Sequence, residues 1–358
     1  MGRLSLNTKQ SLIAAQVATL MAVTTCGATK YAGEFLALGA GGRSVGMGSA
    51  FCAVANDASA PYWNPAGCAM VNGRSILLMH AESFGGLVHH EYISFVNSWS
   101  TNGKPAGLGV SLLYLGVDDI PITDRLSFHD YGIDGLPDTG DEGEGNGSWE
   151  PNEPVIYDET KIQWLDDAEM AGFASYAFSI TPSILIGLNA KVIHKSVGKY
   201  TANGFGADIG SLVHLSPHVT MAVKLQDISS TVISWSTGTR DHITPSVRLG
   251  GQTTHQITAF ESSITVAFDA HTYFENRRTA SWASLEKIGL NEASMDLHMG
   301  AEYWYRDLLA FRMGWVESDT GYLTFGLGLA YKALGVDFAI IEHDVLGNGS
   351  RLSGSLTF

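Results

Sequence analysis

Leu323-Thr324-Phe325-Gly326-Leu327-Gly328-Leu329-Ala330-Tyr331 is the stretch that decides the fold. Every second residue is large and apolar, and the residues between are Thr, Gly, Gly and Ala. Strict alternation over a run of this length is the pattern of a β-strand with two unlike faces, because successive side chains of a strand point to opposite sides. A helix would scatter the same apolar residues around its circumference. The pattern continues at Leu334, Val336, Phe338 and Ile340 against Gly335, Asp337 and Ala339, and ends with Leu352, Leu356 and Phe358 against Arg351, Ser353, Ser355 and Thr357. Upstream, Ile184, Ile186, Leu188, Ala190 and Val192 oppose Gly187, Asn189, Lys191 and Lys195, and Leu309, Phe311, Met313 and Trp315 oppose Ala310, Arg312 and Gly314.

A tilted strand needs roughly nine to eleven residues to cross a bilayer. Segments of about that length are expected at 74–84, 88–98, 107–117, 169–180, 183–195, 204–214, 219–227, 244–254, 262–272, 295–304, 307–317, 322–332, 334–342 and 350–358, which makes fourteen. Their connections differ by side. Thr181-Pro182, Ser216-Pro217, Arg306 and Lys332-Ala333 are tight, whereas 118–165, 228–243 and 273–293 are long. Short turns at one end and long loops at the other are the mark of an outer-membrane barrel. The expected fold is therefore all-β, a transmembrane antiparallel barrel of about fourteen strands over 74–358. A β-sandwich or soluble barrel would also alternate. Against it stand the absence of charges on the apolar face, aromatics at strand ends (Trp99, Tyr303, Trp304, Tyr305, Trp315, Tyr331), and a chain that stops on Phe358. A terminal aromatic closing a strand is similar to the signal by which the barrel assembly machinery takes up outer-membrane barrels.

Composition agrees. The chain has 358 residues, 45% hydrophobic and only 16% charged, against roughly 25% charged in ordinary soluble proteins. With 41 Gly and 10% aromatics it has ample apolar surface to bury and does not suit a disordered chain. A net charge of −15 argues against a nucleic-acid partner and against a polybasic membrane anchor. The expected surroundings are outer-membrane lipid. Arg3 and Lys9 precede a mostly apolar stretch from Ser11 to Thr25, too short for a spanning helix, and Cys26-Gly27-Ala28 offers small residues for cleavage. Residues 1–28 are expected to be an export signal. Export leaves Cys52 and Cys68 in an oxidising compartment. A disulfide between them and a pair of buried free thiols both remain open, since spacing cannot establish their approach.

Between signal and first strand, 29–73 lacks the period-two pattern. It contains Gly39-Ala40-Gly41-Gly42-Arg43-Ser44-Val45-Gly46-Met47-Gly48-Ser49-Ala50-Phe51, the run Asn56-Asp57-Ala58-Ser59, and Tyr62-Trp63-Asn64-Pro65-Ala66-Gly67. A Gly-rich, nearly uncharged segment can pack closely against a barrel wall, and Asn64 before Pro65 signals a turn. Arg43 and Asp57 are the charges expected to be hydrogen-bonded in the lumen, the alternative being solvated loop charges.

These runs resemble the opening of the PorV/PorQ family of type IX secretion proteins, relatives of the FadL-type channels. The resemblance is strongest over about 35–68; beyond it the Leu334-Gly335-Val336-Asp337-Phe338-Ala339 run and the last strand match. It implies a FadL-like fourteen-stranded barrel with 29–73 folded inside as a hatch, involving Arg43, Gly46, Gly48, Asp57, Asn64 and Pro65. It also implies a non-enzymatic accessory role in type IX secretion, with secreted cargo and other secretion-system barrels as partners. The hatch belongs to the common fold, so the competing expectation is a channel for long-chain fatty acids or other hydrophobic solutes, whose path Lys191, Arg312 and Asp337 would surround.

Segment 118–165 is expected to be a long extracellular loop. It holds thirteen carboxylates and two bases, so eleven of the fifteen net negative charges lie there. Asp138, Asp141, Glu144 and Glu150 around Gly turns make a calcium candidate, but not at EF-hand spacing. The preferred reading is a solvated, partly disordered acidic loop. No CxxC spacing or tight cluster among the 12 His suggests a metal, no Ser, His and acid set is favoured by spacing, and the Gly-rich run is not flanked as a phosphate loop requires. Neither a cofactor nor enzymatic chemistry is called for.

Overall fold

The computed structural model describes residues 32–123, 128–274, 293–318, 321–342 and 348–358. The export signal lies outside the described residues. The strands in chain order are β1 (Arg74–Ser83), β2 (Val88–Thr101), β3 (Lys104–Ile122), β4 (Gln163–Thr181), β5 (Ile184–Val197), β6 (Tyr200–His214), β7 (Val219–Gln226), β8 (Thr231–Trp235) and β9 (Arg240–Ile243). They continue with β10 (Ser246–Ile257), β11 (Ser262–Tyr273), β12 (Ser294–Tyr305), β13 (Leu309–Glu317), β14 (Tyr322–Tyr331), β15 (Leu334–Ile341) and β16 (Gly349–Thr357). Fourteen of them, all but β8 and β9, form a closed antiparallel barrel. Closure runs from Ser75 opposite Thr357 to Glu82 opposite Ser350, and the backbones of Arg74 and Phe358 exchange hydrogen bonds of 2.8 and 2.9 Å below it. A closed ladder leaves no unpaired edge, the condition for a sheet to stand in hydrocarbon.

The alternation has the sense of a membrane protein. Phe325, Leu327, Leu329 and Tyr331 are 43–62% exposed, while Thr324, Gly326 and Gly328 between them are buried. The apolar face points outward to lipid and the small face points into the lumen. Exposed aromatics gather at the short-turn end, where Trp99, Phe260, Tyr331 and Phe358 stand, as in the interfacial girdles of such barrels. The short turns use left-handed residues: Asn102 and Gly103, between β2 and β3, have φ of +54° and +71°, a two-residue pairing that matches the twist of the strands.

The wall differs from the expected one in two places. Segment 228–243, read as a loop, carries the hairpin β8–β9. The reason is that β7 is only eight residues long and covers Ile209–His214 of β6, so the upper part of β6 would be an open edge. β8 pairs there instead, with Val232–Trp235 opposite Ala202–Phe205. The chain turns into β8 at Asp227 and Ser230, both with positive φ, a conformation Asp and Ser tolerate better than bulky residues do. β3 and β4 are nineteen residues each, longer than a crossing needs, and shift register between Val117 and Ile120 as they leave the belt.

The acidic loop beyond them is folded in its described part. Phe128 pairs with Tyr157 in an isolated bridge and stacks on Trp149 with ring centres 5.0 Å apart. Glu153 is 5% exposed, and its carboxylate accepts the Glu150 amide. The described part of the acidic loop thus packs around a compact aromatic centre.

Candidate functional site

Residues 32–73 occupy the lumen. A 3₁₀ turn at Glu34–Ala37 leads to a short helix at Gly42–Gly46, then to a helical turn at Ala60–Trp63 and a 3₁₀ helix at Pro65–Ala69. None is long enough to be stable alone. Their order comes from the wall around them and from one another. The Tyr62 hydroxyl donates to Leu36 O at 2.6 Å and accepts from the Gly39 amide at 2.9 Å, and the Trp63 indole donates to Ala40 O at 2.7 Å. Phe51 packs edge-on against Trp63, with centroids 5.9 Å apart.

Asn64 is fully buried. Its Oδ1 accepts the Ala66 amide at 3.1 Å, which caps the helix that Pro65 begins, and its Nδ2 donates to Cys52 O and to Ser211 O of β6. Gly46 and Gly48 lie against wall glycines. A Cβ on Gly46 would meet the Gly326 Cα at 2.9 Å, and one on Gly48, at φ +61°, would meet Met299 O at 2.6 Å and Trp315 N at 2.9 Å. Backbone touches backbone here, which only residues without side chains permit.

Three sets of lumen charges hold this segment in place. Arg43 donates to both oxygens of Glu302 on β12, each at 2.8 Å, and its Nη1 reaches Asp57 at 3.1 Å and Asn56 at 2.7 Å. Glu302 also accepts from Arg312 Nε at 2.7 Å, and Arg312 Nη1 lies 2.7 Å from Asp337. The result is a row of alternating charge, Asp57, Arg43, Glu302, Arg312, Asp337, that joins the hatch to β12, β13 and β15. On the opposite arc Lys191 pairs with Asp208 at 3.2 Å and with Asp227, which also accepts from the Thr231 hydroxyl, so this set fixes the start of the β8–β9 hairpin. Near it, Asn189 donates to Pro61 O and Lys224 to Tyr62 O. Asp269 of β11 accepts the amides of Phe51 and Cys52 at 3.0 and 2.9 Å and lies 3.6 Å from Arg248.

Lys191, Arg312 and Asp337 thus face the lumen but do not surround an open path. They bind hatch anchors and the hairpin turn, because the hatch fills the space a solute would need at their level. Sequence reading missed Glu302, Arg248, Asp269 and Arg351. Each is a charged residue on the small-residue face of its strand, and that placement is the signal that could have found them.

Of the two states left open for the cysteines, the structure has the unbridged one: Cys52 and Cys68 are free and buried. Cys52 packs against Gly250 of β10, while the 3₁₀ helix carries Cys68 against Gly107 and Gly109 of β3, so the two thiols face different arcs of the wall. Burial pushes both thiols up, Cys68 to about 12. Asp138, Asp141, Glu144 and Glu150 do not form a calcium cage: Asp141 accepts the Asp134 amide, and Glu144 accepts those of Asp138 and Gly140. Among the described residues no three His, Cys, Asp or Glu side chains stand together as metal ligands.

Between the hatch and the long-loop end lies a cavity of about 360 Å³. Leu38 and Val45 of the hatch floor it, and His90, Arg248, His298 and Arg351 are on its wall. Its chemistry is mixed, with apolar hatch surface below and ring nitrogens and guanidinium groups at the sides.

Residues 10–122 match the model of an uncharacterised protein family, UPF0164. No curated protein matches the chain in sequence. Solved structures do match in fold. The toluene transporter TbuX of Ralstonia pickettii is 13% identical with a TM-score of 0.55, over 89% of this chain and 97% of its own. The toluene transporter TodX of P. putida is 12% identical with a TM-score of 0.56, over 89% of this chain and 99% of its own. The fold shared with these two transporters is the closed fourteen-stranded outer-membrane barrel.

Proposed function

We propose that the protein is a channel through which small hydrophobic solutes cross the outer membrane, with residues 32–73 as the constriction that holds the lumen closed. One observation carries this reading. The hatch floors a cavity facing the long-loop end, and it is held to the wall by apolar packing, hydrogen bonds and ion pairs, with Cys52 and Cys68 unbridged, so its displacement breaks no disulfide. The shared fold with two structures named as toluene transporters supports the same reading. The accessory role in type IX secretion rests on a sequence resemblance that is strongest over about 35–68, and it is the weaker of the two.

Purified protein in liposomes tests the proposal. Radiolabelled toluene is expected to equilibrate faster into these vesicles than into protein-free ones; equal rates would overturn the channel. In cells, normal hydrocarbon uptake after deletion, together with loss of secreted cargo from the surface, would favour the secretion role.

A further inference from the structure

We propose that the acidic lobe between β3 and β4 binds a calcium ion through the carboxylates of Asp141 and Glu153, completed by main-chain carbonyls and water. Nothing in this depends on what the barrel conducts. Asp141 Oδ2 accepts the Asp134 amide at 2.8 Å and Glu153 Oε2 accepts the Glu150 amide at 3.1 Å, so each carboxylate is oriented through one of its oxygens. The other oxygen of each, Asp141 Oδ1 and Glu153 Oε1, is buried and accepts from no donor. Glu153 as a whole is only 5% exposed. A buried carboxylate with an unfilled oxygen is costly, and buried charges in proteins are paired or coordinate metals.

Both unfilled oxygens aim at one place. A Cβ on Gly132 would collide with Asp141 Oδ1, and a Cβ on Gly143 would collide with Glu153 Oε1 while standing 3.6 Å from Gly132 Cα. Asp141 and Glu153 therefore bracket the contact between these two glycines. Asp130, two residues before Gly132, is held in the same half-bonded way: its Oδ2 accepts the Gly147 amide at 2.6 Å and its Oδ1 is buried without a partner. Segment 128–165 has ten carboxylates and one lysine, and Lys161 is taken by Asp158 at 3.1 Å. Oxygen ligands alone select a hard cation, and two carboxylates carried on separate turns suit the irregular coordination of calcium better than the strict octahedron of magnesium. Two side chains make the site, in keeping with the lack of any cluster of three among the described residues. Of the four carboxylates singled out by spacing only Asp141 belongs to it, since Glu144 spends both oxygens on the amides of Asp138 and Gly140. Oxygens closed to water are what an enclosed ion requires: calcium sits about 2.3–2.6 Å from its ligands, nearer than the roughly 2.8 Å at which a water molecule packs, and it is taken up as the lobe folds around it.

Trp149 supplies the readout. Its indole donates to Glu153 O at 3.2 Å, which puts an excitable ring beside the site. The folded full-length protein in detergent, stripped with a chelator, is titrated with terbium, a luminescent stand-in for calcium, and then with calcium or magnesium as competitor. Saturable tryptophan-sensitised emission is expected, displaced by calcium in the range of about 10⁻⁴–10⁻³ M typical of extracellular modules, and by magnesium at least tenfold less effectively. Glu153→Gln keeps the side chain's shape and its bond from the Glu150 amide but removes the charge, and is expected to weaken calcium at least tenfold; Asp141→Asn should do the same. Glu159→Gln, at an exposed carboxylate of the same lobe, is the control and should leave the affinity unchanged. Protease resistance of 128–165 separates a lost ion from a lost fold: without calcium Glu153→Gln should resist cleavage at least as well as the parent, and with calcium less well. Emission that does not saturate, magnesium competing as well as calcium, unchanged affinity in both Glu153→Gln and Asp141→Asn, or equal weakening by Glu159→Gln would overturn the proposal.

Discussion

Arg43 of the hatch grips Glu302 of β12 through two hydrogen bonds of 2.8 Å, although 259 residues separate them in sequence. Glu302 is 2% exposed and is shared with Arg312, so the pair binds a segment without regular strands to the centre of the wall. Removing one partner of a buried pair typically costs roughly 3–5 kcal/mol, because the other charge stays buried and uncompensated. The barrel ladder does not depend on this contact. Arg43→Ala is therefore expected to leave insertion and heat-modifiable mobility intact while raising single-channel conductance in planar bilayers. Unchanged conductance in a correctly inserted variant would show that the hatch is held by other contacts.

Deleting 32–73 extends the same argument. The lumen loses its filling, and the deletion variant is expected to insert and to conduct more than Arg43→Ala. A variant that inserts but conducts as the intact protein does would contradict the placement of the hatch in the lumen.

Gly48→Val should be among the most damaging single changes in the hatch. Valine disfavours φ +61°, and its Cβ would meet the backbones of Met299 and Trp315 at 2.6–3.0 Å. The turn must leave the wall, and protease cleavage within 39–51 is expected to become detectable in the folded barrel. Gly354→Ala, where a Cβ meets nothing within 4 Å, is the matched control and should leave cleavage unchanged.

Lys191 is 1% exposed and stands between Asp208 and Asp227. Lys191→Met leaves two buried carboxylates facing each other and should destabilise the hairpin region by roughly 3–5 kcal/mol. The measurement is the temperature at which the compact gel form is lost. Adding Asp208→Asn and Asp227→Asn removes the stranded charges and is expected to recover part of the loss; a triple variant no better than Lys191→Met would refute the electrostatic account.

The thiols of Cys52 and Cys68 are protonated by burial and shielded by the wall. Since the thiolate is the reactive form, maleimide labelling at pH 7 should be slow in the folded protein and fast after boiling in detergent. Fast labelling of either residue without unfolding would mean that the hatch leaves the lumen on its own.

The alternation at Leu323–Tyr331 determined by itself a strand with one apolar face, because side-chain direction in a strand depends only on position along the chain, and the repeat of that pattern with short and long connections made it a barrel. The short turn at Lys332-Ala333 was equally legible, being a local conformation set by a few residues, whereas the one at Asn102-Gly103 was not singled out. The β8–β9 hairpin was not: it exists because β7 is too short to cover β6, and the length of one strand says nothing to a neighbour until the two are paired. Nor could sequence show that Arg43 meets Glu302, that Cys52 and Cys68 face different strands, or that Arg351 of the last strand holds the carbonyls of Leu38 and Gly39. Those are relationships between residues far apart in the chain, and closure of the barrel around the hatch is what brings them within the few ångströms over which hydrogen bonds act.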